Sequence, residues 1–459
     1  MNTTTLLNPE EWAEHTFGRV QLRDLRRTRR AVKAAGSMVR EPAASLPKQL
    51  QTWKAVKALY RLLDEPDVTF EALMRPQWQQ TRADVADKAV VLLVQDTTEI
   101  DLSPHVTMSG LGQIGNEKGR GLLLQTMLAV LPETRTLVGC VAQRPFVRIP
   151  APQGEQRYQR RHRERRETDV WKELVEEVGT PAGAGLVVHV GDRGADMLPF
   201  FRSCLSTQTH FVVRATQNRR VQLAAGEVGH LLDQVRAWPS QDQRPFEVPA
   251  RHGRPARQTT LQLSFGPATV LPPWNDPRGS TQPLPVWMVR VWETDPPADE
   301  EALEWIVVTS LVTQTCEQAW QRIEWYRCRW VVEEYHQCLK TGCRIEERQV
   351  HTADRFMRLL GLVSPMAVRL VQLRDLARLV PESAALQHLE PAAVTLVAAR
   401  AALSPEDLTV ARFWREVACL GGYLARTRDG PPGWKTLWKG WLHLQTVLEG
   451  VQLAAHLHL

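Results

Sequence analysis

Two apolar runs of strand length stand out along the chain, at 89–94 and 185–191. Each run is short, continuous and rich in Val and Leu, which predicts a buried strand. Asp96 follows the first run and Asp192 follows the second. Acids at the carboxyl ends of core strands lie where open sheets bind ligands, so both side chains can reach one crevice. A single aspartate at this position more often serves a surface turn, and the repetition favours a shared site.

The pattern between and after these runs predicts further strands. The stretches 121–127 and 136–147 flank a turn at 132–134, which predicts an antiparallel hairpin of the kind that a ribonuclease-H-like sheet needs. From about Cys204 to Glu304 the apolar positions alternate over short stretches that are separated by Pro and Gly. We interpret this region as a β-rich insertion.

Helical periodicity dominates both ends of the chain. The segment up to about Leu73 predicts a small helical unit whose cations lack compensating acids, which favours docking against phosphates. A solvated basic face is the alternative. The apolar helical run 356–376 is predicted to be interrupted at Pro365. The apolar stripe in 434–451 indicates either core packing or a partner surface.

Four polar residues near position 330 share one side of a predicted helix: Tyr326, Arg329, Glu333 and Lys340. At roughly 100° per residue their spacing places them within an arc of about 60°. Such a face can hold a metal ion with its acid and neutralise phosphates with its cations, which is the chemistry of a polynucleotide site. Glu334 points about 100° away, which selects Glu333 as the inward acid. A solvated helix face is the alternative.

Composition agrees with a polyanionic partner. The 459-residue chain is long enough for several domains, and its net charge of +6 and pI near 9.0 favour such a partner. No uninterrupted apolar run approaches a bilayer span, and the polar start lacks the apolar region of a secretion signal, so we expect a cytoplasmic protein. The seven cysteines include no CxxC pair, and the spacing of Cys328, Cys338, Cys343 and His336 matches no common zinc site.

The densest basic run of the chain lies at 157–166, between the two strand acids. It suits a phosphate-binding loop that enters a helix near Trp171. It equally suits a solvated helical face, because Glu164 and Glu167 partly balance the cations.

Three blocks together carry a resemblance to a known family: Gln95-Asp96-Thr97-Thr98, Asp192-Arg193-Gly194-Ala195-Asp196, and 326–342 with the spacing Y-x2-R-x3-E-x6-K. The chain resembles bacterial DDE transposases of the insertion-sequence-four family, whose members carry that signature around the last acid. The similarity extends with gaps from Trp12 to 434–441, which is nearly the whole chain.

The resemblance implies an α/β fold with a ribonuclease-H-like catalytic core, in which helices pack on a mixed five-stranded sheet. It also implies a β-rich insertion in that core, and helical domains at both ends of the chain. We place the DNA-binding domain at 1–75, the core at 76–203 and 306–375, the insertion at 204–305, and a C-terminal domain that supports dimerisation at 376–459.

The resemblance further implies metal-dependent cut-and-paste transposition. Asp96, Asp192 and Glu333 would be the catalytic residues and would hold two Mg²⁺ ions about 4 Å apart, with Mn²⁺ as a substitute. Water would nick the transferred strand at the transposon end. The freed 3′-hydroxyl would form a hairpin with the opposite strand, and strand transfer into target DNA would follow once the hairpin is reopened.

Double-stranded DNA is the implied partner, both as inverted repeats at the transposon ends and as target, bound by a homodimer. In that family the N-terminal domain recognises the transposon end, and aromatic side chains near that end can stack a base pulled out of the duplex. We expect DNA contacts from Tyr326, Arg329, Lys340, Trp305, Trp330, Arg30, Arg40 and Arg61.

Two other functions would use the same features. A metal-dependent nuclease without strand transfer would need the same three acids and would cut random DNA as well as inverted repeats. A non-catalytic DNA-binding protein derived from a transposase would keep the acids without using them. A Ser or Cys hydrolase has little support, because the chain contains no G-x-S-x-G elbow.

Overall fold

The computed structural model describes most of the chain, with interruptions mainly at the ends and in four loops. The described residues are 7, 9–116, 118–150, 152, 154–156, 158–159, 162–163, 165–223, 226–248, 256–273, 282–298, 300–426, 432 and 434–456. Fourteen helices, α1 to α14, and twelve strands, β1 to β12, are named below within these residues.

Five helices form the N-terminal part: α1 (Pro9–Phe17), α2 (Leu25–Arg40), α3 (Leu46–Leu50), α4 (Trp53–Asp64) and α5 (Phe70–Asp84). The side chains of Asp24, Thr52 and Thr69 start α2, α4 and α5, because each accepts a hydrogen bond from a backbone N–H of the first turn. The predicted helical unit is therefore present, and its last helix continues about ten residues beyond the predicted end.

Twelve strands form one mixed sheet: β1 (Val90–Asp101), β2 (Gly112–Ile114), β3 (Gly119–Leu131), β4 (Thr136–Phe146), β5 (Leu186–Gly191), β6 (His210–Arg214), β7 (Arg220–Leu223), β8 (Val228–His230), β9 (Asp242–Val248), β10 (Arg257–Val270), β11 (Leu284–Glu293) and β12 (Glu304–Thr309). The order is β2-β3-β1-β5-β6-β12-β11-β10-β7-β8, with β4 on β3 and β9 on β10. The sheet is mixed, as expected, and a five-stranded core within it stays a prediction.

The sheet is larger than expected because strands of the β-rich region continue it rather than forming a separate layer. β6 pairs parallel with β5, and β12 pairs antiparallel with both β6 and β11. The sheet therefore runs without a break past positions 204 and 305. The domain limits placed there stay predictions.

Strand register places the first two acids at the same height. β1 and β5 pair in parallel up to Val94 and Val190. Asp96 lies two residues after Val94, and Asp192 lies two residues after Val190. Asp96 does not end its strand, as the apolar run indicated, because β1 continues to pair with β3 as far as Asp101 after it has left β5.

Strand periodicity decides which face of the sheet carries the acids. Leu92, Val94 and Val190 belong to the core cluster that also contains the helices after position 316. Their neighbours Val91 and Leu93 belong to the cluster on the opposite face. Because side chains alternate along a strand, Asp96 and Asp192 share the face of the first cluster.

Two helices cover the opposite face, α6 (Asp169–Val178) and α7 (Leu198–Ser206), and α8 (Leu231–Ala237) lies beside the outer strands. The acid-bearing face is covered by α9 (Cys316–Arg327), α10 (Trp330–Gln337) and α11 (Ala353–Leu379). α10 packs against β1 and β3, the strands that carry and flank Asp96.

The predicted single helix around position 330 is interrupted at two places. α9 ends at Arg327, and a tight turn at Cys328 and Arg329 precedes α10. A π-helical turn, Cys338–Gly342, then follows α10. A tight turn overwinds the backbone and a π turn underwinds it, so a regular 100° step does not hold from Tyr326 to Lys340.

The helix α11 continues through Pro365, so the predicted interruption was wrong. By length and composition, its segment Ala353–Asp375 is the one stretch of the described residues that could cross a membrane, and 83% of that window is buried inside the protein. It packs against α5 and β4. The burial of this segment explains its apolar composition. Neighbouring elements pack against the helix on either side of Pro365, which explains why the helix tolerates the proline.

The C-terminal part contains α12 (Pro391–Arg400), α13 (Val410–Leu420) and α14 (Trp434–His456), which share a core cluster of their own. Two glycines permit α13 and α14 to touch. A Cβ atom at Gly440 would lie 1.7 Å from the carbonyl oxygen of Val417, and one at Gly421 would lie 1.8 Å from that of Thr436. The side chains of Trp434 and Trp438 lie outside the described residues.

A buried arginine joins the N-terminal helices to the segment that follows the π turn. Arg348 is only 3% exposed. Its guanidinium donates to the carbonyl oxygens of Pro42, Ala44 and Cys343, and to Oε1 of Gln49 at 3.1 Å. These bonds connect the loop between α2 and α3 to the segment that follows the π turn.

We expect Arg348→Ala to loosen this junction by on the order of 3 kcal/mol, because several buried acceptors would lose a charged donor. Hydrogen–deuterium exchange in residues 41–50 should rise. Arg355→Ala is the matched control at the same junction, since Arg355 is part of an exposed ion pair with Asp64 that is worth about 0–1 kcal/mol. Equal exchange in the two variants would contradict the assigned role of Arg348.

Candidate functional site

Asp96 is the centre of a group of acids on the buried face of the sheet. Its side chain is 15% exposed, and its Oδ1 accepts the backbone N–H of Thr97 at 2.8 Å. Burial, followed by the charges of Asp192 and Glu333, raises the pKa of Asp96 to about 7, although the Thr97 N–H and Arg329 lower it. The three acids therefore repel one another in the absence of a cation.

Glu333 and Asp96 share one counter-charge. Arg329 Nη1 lies 2.9 Å from Oε1 of Glu333 and 3.8 Å from Oδ2 of Asp96. Arg329 is 8% exposed, and its guanidinium also lies 4.8 Å from the ring centre of Trp330. Glu334, the neighbouring acid, instead binds Arg374 at 2.7 Å. The structure thus places Glu333 inward and Glu334 in a structural ion pair.

Asp192 follows β5 directly and starts a short turn. Its Oδ1 accepts the N–H of Gly194 at 2.7 Å, which holds one side of the carboxylate. The nearby Asp196 does not join the acids, because it is buried and binds Arg219 and the backbone of Thr216. Of the two acids in this block, Asp192 is the one that faces Asp96.

A histidine that the sequence analysis set aside lies in the same group. A ring nitrogen of His336 and carboxylate oxygens of Asp96 and Glu333 all lie within 4.8 Å of one another. His336 is 4% exposed, and its Nε2 lies 3.1 Å from Oγ1 of Thr126. Burial lowers the pKa of His336 to about 3, assisted by Lys340, so the ring is neutral. Its i, i+3 spacing from Glu333 was the available signal.

The donor set suits a hard divalent cation. Mg²⁺ and Mn²⁺ prefer carboxylate oxygens, and several acids on one buried face without equal positive charge supply them. A bound cation would also relieve the repulsion that raises the pKa of Asp96. Asp96, Asp192 and Glu333 are therefore the residues that fit a metal site, with His336 beside them.

Two of the predicted phosphate-binding residues are occupied by protein contacts. Tyr326 is 6% exposed, and its ring packs edge-on against Trp305 with 6.2 Å between ring centres. Lys340 Nζ lies 3.5 Å from Oε1 of Glu346. Tyr326 lies before the tight turn that precedes α10, and Lys340 lies in the π turn that follows it. Neither residue therefore shares a regular helical stripe with Glu333.

The two predicted stacking tryptophans differ in exposure. Trp330 is 42% exposed at the start of α10, beside Arg329. Trp305 is half-buried in β12 and packs between Phe246 and Tyr326. Trp330 is the more accessible surface for a base.

The three predicted N-terminal contacts also differ in their surroundings. Arg40 forms an ion pair with Glu10. Arg30 and Arg61 have no carboxylate partner among the residues that the structure describes. The same holds for Lys54 and Lys57 on α4, where Lys57 lies over the exposed ring of Trp53 at 5.4 Å. Free cations on α2 and α4 suit phosphate binding better than the paired Arg40.

The basic run 157–166 is only partly described, since Arg157, Arg160, Arg161 and Glu164 lie outside the described residues. Within the described part, Arg163 binds Glu155 and Arg165 binds Glu173. Trp171 lies in α6, as the sequence indicated. These pairs favour a structural role for the described cations of this run.

Two family matches cover separate parts of the chain. Residues 9–68 match the family described as Transposase DNA-binding, and residues 156–368 match the family described as Transposase DDE domain. The first match covers α1 to α4. The second includes Asp192 and Glu333 but begins after β1, so the place of Asp96 in the site rests on the structure.

We expect Asp96→Asn to stabilise the metal-free protein at pH 8.5 and to have a clearly smaller effect at pH 5. The folded-state pKa of about 7 lies above the ordinary 3.8, so the protonated carboxyl favours folding at low pH, and this contribution is lost as the pH rises through 7. Melting temperatures measured in EDTA at both pH values test this.

Asp101→Asn is the matched control on the same strand, because hydrogen bonds from Ser103 lower the pKa of Asp101. This variant should show no stabilisation at pH 8.5. An equal melting-temperature difference at both pH values for Asp96→Asn would contradict the electrostatic account.

Proposed function

We propose that this chain, which is a DDE transposase with a transposase DNA-binding domain, moves its element by metal-dependent cut-and-paste transposition. The observation that carries the proposal is that carboxylate oxygens of Asp96 and Glu333 lie within 4.8 Å of one another, with Asp192 close enough for its charge to raise the pKa of Asp96. Three acids on one face, beside a domain that binds DNA, are what phosphodiester cleavage at a chosen end requires.

Asp96, Asp192 and Glu333 would hold two Mg²⁺ ions, for which Mn²⁺ can substitute. When bound, the ions would supply activation of the attacking oxygen and stabilisation of the leaving oxygen of a phosphodiester. The charges of both Asp192 and Glu333 act on Asp96, so the Asp96 carboxylate could help to hold both ions. No covalent link between protein and DNA is needed.

The chain's own cations would hold the DNA strand. On metal binding, Arg329 would lose its carboxylate partners and become available to a phosphate next to the scissile bond. Lys340 would exchange Glu346 for a second phosphate. Tyr326 packs against Trp305 and would hold this part of the site in place. The exposed Trp330 would stack an unpaired base at the transposon end.

The finer steps follow from the signature at 326–342. We assign the chain to the insertion-sequence-four family, close to the transposase of the kanamycin-resistance transposon. Hydrolysis would free a 3′-hydroxyl at the transposon end, which would attack the opposite strand to form a hairpin and release the flanking DNA. A second water would reopen the hairpin and restore the 3′-hydroxyl for strand transfer into target DNA. A homodimer that pairs two inverted repeats, acting in the cytoplasm, completes the proposal.

A metal-dependent nuclease remains the second function, because the same acids would serve it. The N-terminal match to a DNA-binding family favours the transposase, since a nuclease without end recognition does not need that domain. The two functions differ in whether inverted repeats are cut in preference to random DNA, and in whether strand transfer follows.

We expect Glu333→Gln to abolish Mg²⁺-dependent cleavage at the boundary of the inverted repeats while leaving end binding intact, because it removes one metal ligand and no N-terminal contact. Removal of an essential ligand should lower the rate by at least about 10³-fold, as losses at metal-dependent and electrostatic sites commonly do. Cleavage of labelled repeat DNA by full-length protein is the measurement.

Glu334→Gln is the matched control, since it changes the adjacent acid that binds Arg374. This variant should still cut. Equal loss in both variants would point to a folding defect in α10. Wild-type protein that binds the repeats and never cuts with Mg²⁺ or Mn²⁺ would support the non-catalytic binding protein.

We expect Arg30→Ala and Arg61→Ala each to weaken binding to the inverted repeats and to reduce the slope of log K against log salt concentration by about one. Arg40→Ala should have a smaller effect, because Arg40 is already neutralised by Glu10. Fluorescence anisotropy between low and moderate salt tests the order. A larger loss for Arg40→Ala would show that DNA displaces Glu10.

A further inference from the structure

We propose that His336 is a direct ligand of the cation held by Asp96 and Glu333, so that this position of the site has a nitrogen donor. The inference rests on the proposed function, because it adds a residue to the same metal site. It assigns to the end of α10 a role in choosing the metal ion, in addition to the role of Glu333.

The position of His336 follows from the helix and the sheet together. Glu333 and His336 are three residues apart on α10, so they lie on one side of the helix. That side faces β1 and β3, against which α10 packs. Thr126 of β3 pairs directly with Asp96 of β1, and it is the partner of the histidine ring.

The separations suit a common ion. The ligand atoms of Asp96, Glu333 and His336 lie within 4.8 Å of one another. Two ligands on opposite sides of one ion lie about 4 to 4.6 Å apart, given metal–ligand bonds of about 2.0 to 2.3 Å. A small inward shift of the exposed Glu333 side chain would therefore complete the site without moving the sheet.

Buried hydrogen bonds hold the imidazole in place. Nε2 lies 3.1 Å from Thr126 Oγ1, which also accepts a hydrogen bond from Gln143 at 3.0 Å. Gln143 in turn donates to the hydroxyl of Tyr335 at 3.0 Å. A ligating histidine commonly has one ring nitrogen fixed by such a partner, which leaves the other nitrogen's lone pair for the metal. Because His336 is 4% exposed, the ring cannot turn out to solvent.

A nitrogen donor makes the two metal positions unequal. The position between Asp96 and Asp192 has carboxylate donors, which suit Mg²⁺, whereas imidazole suits the transition metals. We therefore expect Mn²⁺ to bind more tightly than Mg²⁺ at the position of His336. The competing role is that of a positioning residue, in which His336 only joins α10 to Thr126.

The test is pulsed electron paramagnetic resonance of full-length protein loaded with Mn²⁺. Direct ligation should give ¹⁴N modulation in the spin-echo decay, and protein labelled with ¹⁵N-histidine should replace it with ¹⁵N frequencies. His336→Asn should remove the nitrogen signal and weaken Mn²⁺ binding by about tenfold or more. Mg²⁺ binding should change less.

His189→Gln is the matched control, because His189 is a second buried histidine on the opposite face of the sheet, where it packs against Phe200. This variant should keep the nitrogen signal. The labelling result stands on wild-type protein, so the test does not depend on whether His336→Asn folds.

The outcomes separate this inference from the proposed function. Wild-type protein that cuts transposon ends but shows no histidine nitrogen coupling overturns the ligand role and leaves the transposase function intact. Histidine coupling in a protein that never cuts the ends would support the metal site and overturn the proposed function. Wild-type protein that binds no Mn²⁺ would overturn both.

Discussion

The repulsion among Asp96, Asp192 and Glu333 is the constraint on which the site depends. Burial raises the pKa of Asp96, and the charges of Asp192 and Glu333 contribute to its value of about 7. The fold holds the acids together against this repulsion through the parallel register of β1 and β5 and through the packing of α10 on β1 and β3. Backbone pairing and apolar packing thus offset the unfavourable free energy of the charge repulsion, which a bound cation would relieve. The repulsion among the acids therefore lowers the stability of the protein alone, and a bound cation would raise it.

Arg329 partly neutralises the negative charge of Glu333 and Asp96. Its guanidinium lies between Glu333 and Asp96, where it lowers the repulsion, yet the Asp96 contact is long at 3.8 Å. A divalent ion would offer these acids more charge at shorter range than Arg329 does. In the proposed function the same arginine would then be available to a DNA phosphate.

Much of this site could be predicted from the sequence, because the strands that carry the acids have strong apolar patterns. The face on which Asp96 lies could not be predicted, because Leu92 and Val94 have equally apolar neighbours that pack on the opposite face. The breaks on either side of α10 could not be predicted, since the tight turn at Cys328 and Arg329 contains no Gly or Pro, and the π turn has a glycine only at its last residue, Gly342. The size of the sheet was missed because edge pairing between β6 and β12 depends on tertiary contacts rather than on local pattern. His336 was missed because its cysteine neighbours drew attention to zinc instead of to Glu333.

The junction between the two matched domains bears on how recognition reaches chemistry. Arg348, Arg355 and Arg358 reach from the region around the start of α11 to the backbone or acids of the N-terminal helices. Arg348 lies only eight residues beyond Lys340, so the segment that carries a proposed phosphate contact is also the segment that holds the DNA-binding helices. A rigid junction fixes the distance between the recognised sequence and the acids. The proposed cutting at a defined boundary would need such a fixed distance, because acids that hold metal ions carry no information about base sequence.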